Sequence, residues 1–368
     1  MSEQTNILVK QNNDLTKQIN HFAKENNDLT LQITHFVREN NDLTKQIRSE
    51  ISNQLRLQIE LQNEITAVNS VAFSEYKNIF SNRDIVILGA GPTLNKYIPI
   101  KDAIHIGVNS VCTYEKIELD YYFIQDFDRQ MPGNVLYEKE ILNLKCKKFF
   151  GLLACTPNGL MEPSESFCTQ ANATRYFVDH SPSNYIYPDI RFHPLMDFCS
   201  VVFPALHFAL FTNPKCIYLV GCDTSYNGYF TGGKQKDSIE EKRHYLFLML
   251  MGYYRLKEFA KIWYPATEII SVNPVNLKSL FRDMYTDEKG TLTEDVSSEK
   301  YIDFSDVAKV KNFVDRHIEQ VLLDRFNNKL FCKECEGNGF SVVRGLSDNV
   351  PDSIEVKCNT CGSNFLIC

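Results

Sequence analysis

The sequence predicts an α/β protein: a Rossmann-like, mostly parallel sheet flanked by helices, with an N-terminal coiled-coil helix and a small C-terminal zinc ribbon. Three observations carry that expectation. A short apolar run, Ile85–Leu88, enters a glycine turn, Gly89-Ala90-Gly91-Pro92-Thr93. Such a run suits a strand buried on both faces of a parallel sheet. Residues 12–51 carry a 14-residue repeat. Two CxxC pairs close the chain with 22 residues between them.

The repeat reads NNDLTKQINHFAKE, NNDLTLQITHFVRE, NNDLTKQIRSEI. Placing Leu8, Leu15, Phe22, Leu29, Phe36 and Leu43 at heptad position d puts Ile19, Ile33 and Ile47 at a. Asn12, Asn26 and Asn40 take the alternate a positions. Polar a residues lower stability but fix register and strand number. A homo-oligomer through residues 1–72 is expected, with the helix running to about Val71.

The central domain is placed at 76–285. Its glycine turn lets the chain bend sharply and a ligand approach closely. A helix start behind the turn would aim free N–H groups at a nucleotide phosphate. Further strands are expected at Ile104–Val108, Asp120–Ile124, Lys147–Gly151, Cys216–Val220 and, last, Glu268–Val272. Ligands of such sheets bind beyond the carboxyl ends of the strands. Gly89, Gly91, Pro92 and Thr93, with Asn109-Ser110 and Gln125-Asp126, would then share one rim, and Gly221 and Asp223, which end the Cys216–Val220 strand, are further nucleotide-binding candidates. Ser200 reads as the N-cap of an apolar helix, Val201–Phe211. Thr156–His193, with four prolines, reads as an irregular surface excursion. Thr286–Lys300 reads as a linker, within a linker-and-helix segment 286–328. His207, inside the apolar helix, reads as a packed core histidine.

Bulk properties narrow the classes. The 368 residues carry a net charge of −7, which argues against a broad nucleic-acid-binding face. No run is long and apolar enough for a transmembrane helix, and the first residues lack the apolar core of a signal peptide. A cytoplasmic location, at most peripheral to a membrane, is expected. The twelve cysteines then read as buried thiols and metal ligands. Cys332, Cys335, Cys358 and Cys361 have the spacing of a tetrahedral, structural Zn site in a ribbon at 329–368. Zinc supplies folding energy that so short a segment cannot draw from a core.

Four features in one order carry a resemblance: GAGPTL at 89–94, Asn109 after a strand, Ser200 before a helix, and IYLVGCD at 217–223 followed by a Tyr/Gly loop. Over about residues 83–281 the chain resembles the bacterial sialyltransferases of glycosyltransferase family 42 and related uncharacterised bacterial surface-glycan proteins. The resemblance implies an inverting glycosyltransferase that moves a sialic-acid-like sugar from a CMP-activated donor to a glycan acceptor, with no catalytic metal. It implies that the glycine turn, Asn109 and Ser200 contact the nucleotide. Tyr226 and Tyr229 would hydrogen-bond the departing phosphate, and His244 would be the general base. Two features depart from the family. Ala90 stands where the sialyltransferases carry Asn, and the tyrosine register is shifted, so the sugar or nucleotide can differ.

Two other readings use the same residues. Asp126, Asp128 and Asp223 could hold Mg²⁺ in an ATP-dependent diphosphokinase-like transferase. The coiled coil and ribbon could flank a degenerate nucleotide-binding fold in a non-enzymatic scaffold. His244 could equally be a solvated histidine at a helix start.

Overall fold

The computed structural model describes residues 3–125, 137–153, 163–179, 185–224, 228–231, 239–301, 340–344, 354–358 and 364–367. The chain divides into two units, 1–63 and 64–368. Helix α1 (Glu3–Phe73) makes up the first and opens the second.

In the first unit every a and d side chain from Leu8 to Ile47, the asparagines included, is exposed. Thr16, Thr30 and Thr44 return their hydroxyls to the carbonyls of Asn12, Asn26 and Asn40 at 2.8, 2.8 and 2.7 Å. His21 and His35 face Glu25 and Glu39 one turn on, at 3.7 and 3.3 Å. The first two repeats thus build the same local contacts, and the third keeps the threonine one, as its sequence requires.

The last turns of α1 belong to the second unit, earlier in the chain than Tyr76, where the sequence placed the domain's start. Ile65, Ala72 and Phe73 are buried there, and the Phe73 ring stacks on Phe149 at 5.5 Å. Asn69 is fully buried. Its amide donates to the Ile190 and His193 carbonyls at 3.1 and 2.7 Å and accepts from Phe177 N–H at 2.8 Å. A buried amide with three partners is fully compensated for its loss of water.

The sheet strands are β1 (Asp84–Leu88), β2 (Ile104–Val108), β3 (Tyr121–Ile124), β4 (Lys147–Leu153) and β5 (Ala173–Asp179). They continue with β6 (Leu195–Met196), β7 (Cys216–Val220), β8 (Glu268–Val272), β9 (Arg282–Thr286) and β10 (Leu292–Thr293). The order is β10-β9-β8-β7-β1-β2-β3-β4-β5-β6, parallel throughout except β10. Helices α2 (Glu138–Asn143), α3 (Glu165–Ala171), α4 (Val202–Phe211) and α5 (Ile239–Trp263) complete the α/β unit. Alternate residues of β1 serve opposite cores. Ile85 and Ile87 join α4, α5 and the end of α1, while Val86 and Leu88 join Phe150, Phe167 and Ile141. Burial on both faces is why these strands read as continuous apolar runs.

Three expectations are corrected. Thr156–His193 is not an excursion throughout, because α3 and β5 lie inside it. The apolar Tyr176-Phe177-Val178 run pairs with β4 and is buried, and the prolines only flank it. Thr286–Lys300 is no linker. It contains β10 and a 3₁₀ helix, Val296–Tyr301, pinned by Lys278 to Glu299 at 2.7 Å. Glu268–Val272 is therefore not the last strand. A scarcity of apolar residues hid β10 and the 3₁₀ helix, since an edge strand has only one side to bury, and the first half of β5 is only partly buried.

The tail forms a separate antiparallel sheet of β11 (Phe340–Arg344), β12 (Ile354–Cys358) and β13 (Asn364–Ile367). No helix among the described residues is long and apolar enough to cross a membrane.

Candidate functional site

The strand order reverses at β1. From β1 the chain steps outward through β2 to β6, then returns to the other side of β1 as β7. A crevice at the carboxyl ends of β1 and β7 follows from that reversal, and it is where open α/β sheets place ligands. Gly89–Thr93 leaves β1 there, and Gly221–Asp223 leaves β7.

The two turns are knitted together. Gly89 N–H donates to Val220 O at 2.7 Å, and Gly91 N–H to Gly221 O at 2.8 Å. A Cβ on Gly89 would stand 2.5 Å from Gly221 O, and one on Gly91 would collide with the Asp223 carboxylate. Gly221 sits at φ +64°, in the left-handed region. These glycines are therefore required first by the approach of one turn to the other. Asp223 is buried and accepts from Thr93 N–H at 3.0 Å and from the Thr93 hydroxyl. Burial lifts its carboxyl to about 6, against the pull of those two donors.

This alters one expectation. The turn opens a 3₁₀ helix, Pro92–Lys96, in place of a longer helix, and the Thr93 N–H serves Asp223. An anion at this turn has to be met by other groups. Phe230, from the chain after β7, lies against the turn. Its N–H donates to Ala90 O at 3.0 Å and its carbonyl accepts from Asn95 at 2.8 Å.

Further along the rim, Asn109 takes φ +48° and opens a 3₁₀ turn, its carbonyl accepting from Tyr122 hydroxyl at 2.7 Å. Gln125, buried at the end of β3, reaches across β4. It can do so because β4 has Gly151 there, where a Cβ would stand 2.8 Å from the Gln125 Cβ. Its amide nitrogen donates to Asp197 Oδ2 at 2.9 Å. Its Oε1 is buried with no hydrogen-bond partner among the described residues.

Asp197 is the residue that sequence reasoning missed. It is fully buried after β6, and its Oδ1 accepts from Cys199 N–H at 3.0 Å. Phe198 and Cys199 follow at φ +37° and +61°, both in the left-handed region. Strain of this kind, about 1–3 kcal/mol per residue, persists only where the surroundings impose it. No Gly or Asn marks this turn in the sequence, so nothing there signals it.

Ser200 is not the cap of α4. Val201 holds that position, while the Ser200 hydroxyl accepts from Val202 N–H at 3.4 Å and its own N–H donates to Asp197 O at 2.6 Å. The structure thus gathers Gly89, Gly91, Pro92, Thr93, Gly221 and Asp223 at the switch point. Asn109 ends β2, and Gln125 and Ser200 meet around Asp197.

Tyr229 is exposed. It approaches Tyr137, whose phenol is raised mainly by burial, with Cys112 and Tyr229 adding to the shift. Asp126, Asp128 and Tyr226 lie outside the described residues, as does the side chain of His244 in α5. Cys332, Cys335 and Cys361 also lie outside them. Cys358 ends β12, its side chain not among those described.

Two grooves of about 400 and 360 Å³ flank the C-terminal half of α5, and neither is lined by any rim residue. The rim residues gather at the switch point, away from both grooves. The fold defines a class: an α/β protein with a mostly parallel sheet whose strand order reverses at β1. Compared with protein-family models, curated proteins and solved structures, the chain matches none.

Proposed function

We propose that residues 76–285 form an inverting glycosyltransferase using a CMP-activated, sialic-acid-like donor and a glycan acceptor. One observation supports this reading above others. The glycine turn and the Gly221-Cys222-Asp223 turn, far apart in sequence, join at the β1/β7 switch point. Asn109, Gln125 and Ser200, the other polar residues of the expected site, stand at ends of neighbouring elements.

In this reading the acceptor hydroxyl attacks the anomeric carbon while the bond to CMP breaks. His244 takes the hydroxyl proton, a role suited to a group titrating near neutrality. Tyr226 and Tyr229 donate to the phosphate as negative charge collects on it. Neutral donors suffice for a monophosphate leaving group, so no catalytic metal is invoked.

The same proposal gives the tail a structural zinc bound by Cys332, Cys335, Cys358 and Cys361. Supporting it, Cys332 and Cys335 precede β11 in the chain, while Cys358 ends β12 and Cys361 falls between β12 and β13. Such a spacing brings two knuckles to one end of a three-stranded sheet.

Calorimetric titration with CMP, UDP, GDP and ATP, with and without Mg²⁺, tests the donor class. CMP binding without metal is expected. Metal-dependent ATP binding would replace this reading with the diphosphokinase-like one, and no binding to any of the four would leave the scaffold.

A further inference from the structure

We infer that the first unit binds further copies of this chain in parallel and in register, with Asn12, Asn26 and Asn40 each facing its own counterpart. The inference is independent of the transferase reading.

The apolar seam is long, regular and unpartnered. Leu8, Leu15, Ile19, Phe22, Leu29, Ile33, Phe36, Leu43 and Ile47 are all at least half exposed on the single helix. The a and d positions recur every 3.5 residues on average, and with apolar residues at every d and every second a they require a partner helix with the same period. A second copy supplies one by construction.

Orientation follows from the asparagines. In an antiparallel pair, a positions face d positions. Each Asn would then meet Leu or Phe, and a buried amide beside hydrocarbon has nothing to replace water. In a parallel pair, a faces a, so asparagine amides can hydrogen-bond one another while isoleucine meets isoleucine. Register follows from the alternation. A slip of one heptad sets every Asn against Ile, except one Asn12 that meets Thr5. A slip of 14 residues restores the match but strands a whole repeat at each end.

The flanking positions leave this task to the asparagines. Position e holds Val9, Thr16, Ala23, Thr30, Val37 and Thr44. Position g holds Gln11, Gln18, Glu25, Gln32, Glu39 and Gln46. Neither set contains a cation, so the interhelical charge pairs that commonly choose partner and direction cannot form.

The test uses the full-length chain bearing Asn26→Lys, the full-length chain bearing Asn26→Asp, and their equimolar mixture. Sedimentation is read across a dilution series, with far-UV circular dichroism confirming that each variant is folded. Wild-type protein should sediment as a multiple of its 42.5 kDa chain. Each variant alone should dissociate at roughly tenfold higher concentration or more, because like charges face each other in the seam. The mixture should recover near wild-type association. The ammonium introduced at position 26 of one copy meets the carboxylate introduced at the same position of the next only when the helices are parallel and in register. A monomeric wild type, or a mixture no stronger than either variant alone, would overturn the inference.

Discussion

Two buried groups in the second unit titrate in opposite senses, and their balance can be measured. His207 is fully buried in α4. Its Nε2 donates to Tyr187 O at 2.8 Å, its Nδ1 has no hydrogen-bond partner among the described residues, and the Phe259 ring stands edge-on at 5.4 Å. Burial lowers its pKa from 6.5 to about 4. The unfolded chain therefore binds a proton below pH 6.5 that the folded chain refuses, so this contribution to stability is complete above 6.5 and shrinks as pH falls towards 4. Asp223 behaves inversely. Its pKa rises from 3.8 to about 6, so its contribution is complete below 3.8 and shrinks as pH climbs to 6. At about 1.4 kcal/mol per pH unit, each group changes stability by about 3 kcal/mol across its window. The windows overlap and the slopes oppose, so the pair's net contribution should be nearly flat between about pH 4 and 6. His207→Gln keeps an N–H donor for Tyr187 O but does not titrate. Urea unfolding should show the variant gaining on wild type by up to about 3 kcal/mol as pH falls from 6.5 to 4. The single tryptophan, Trp263, lies one turn beyond Phe259 at the end of α5 and gives a local fluorescence signal. A wild-type-minus-variant difference that does not change with pH would refute the reasoning, because all other titrations are common to both proteins.

Asn69→Ala leaves two buried carbonyls and one N–H without their partner, so the urea midpoint should fall by the equivalent of about 2–4 kcal/mol. Gly91→Ala drives a methyl group into the Asp223 carboxylate. It should lower stability by about 1–3 kcal/mol and weaken CMP binding in calorimetry, whereas unchanged binding would separate the nucleotide from this turn. His244→Ala should lower transfer by about 100-fold or more with CMP affinity retained, and near-normal turnover would end its assignment as base. Elemental analysis should find one zinc per chain, depleted in Cys358→Ser, and a metal-free wild type would contradict the ribbon.

The parts of the fold that the sequence made plain are those where one physical demand dominates. Strands β1, β2, β3, β4, β7 and β8 must be apolar on both faces, and they were legible within a residue or two. The helix of α1 was legible because its period is repeated. Strands β5 and β10 were not, since Ala173-Thr174-Arg175 and Leu292-Thr293 are only partly buried and carry little apolar signal. At the rim, motif residues were legible but their mutual contacts were not. Nothing in GAGPT announces that its glycines face another turn, or that its Thr amide bonds a carboxylate 130 residues later. The bonds of Asn69 and Asp197 are likewise long-range and depend on tertiary placement alone.

Those two residues also connect the root of α1 to the rim. Asn69 fixes the carbonyls of Ile190 and His193, and the Ser70 hydroxyl holds Arg191 O at 3.2 Å. This segment runs directly into β6 and the strained turn at Asp197-Phe198-Cys199. Asp197 then takes the Gln125 amide nitrogen, which determines that Oε1 is the group left to seek a partner. The links are hydrogen bonds at either end and a short run of chain through β6 between them, so loosening the first should let the last reorient. Asn69→Ala should therefore weaken nucleotide binding as well as stability if Gln125 contacts the ligand. His207→Gln keeps the N–H donor that Tyr187 O receives in the same segment, so it should alter only stability. Equal loss of binding in both variants would mean that binding follows overall stability, and the chain of contacts from Asn69 to Gln125 would then carry no separate coupling.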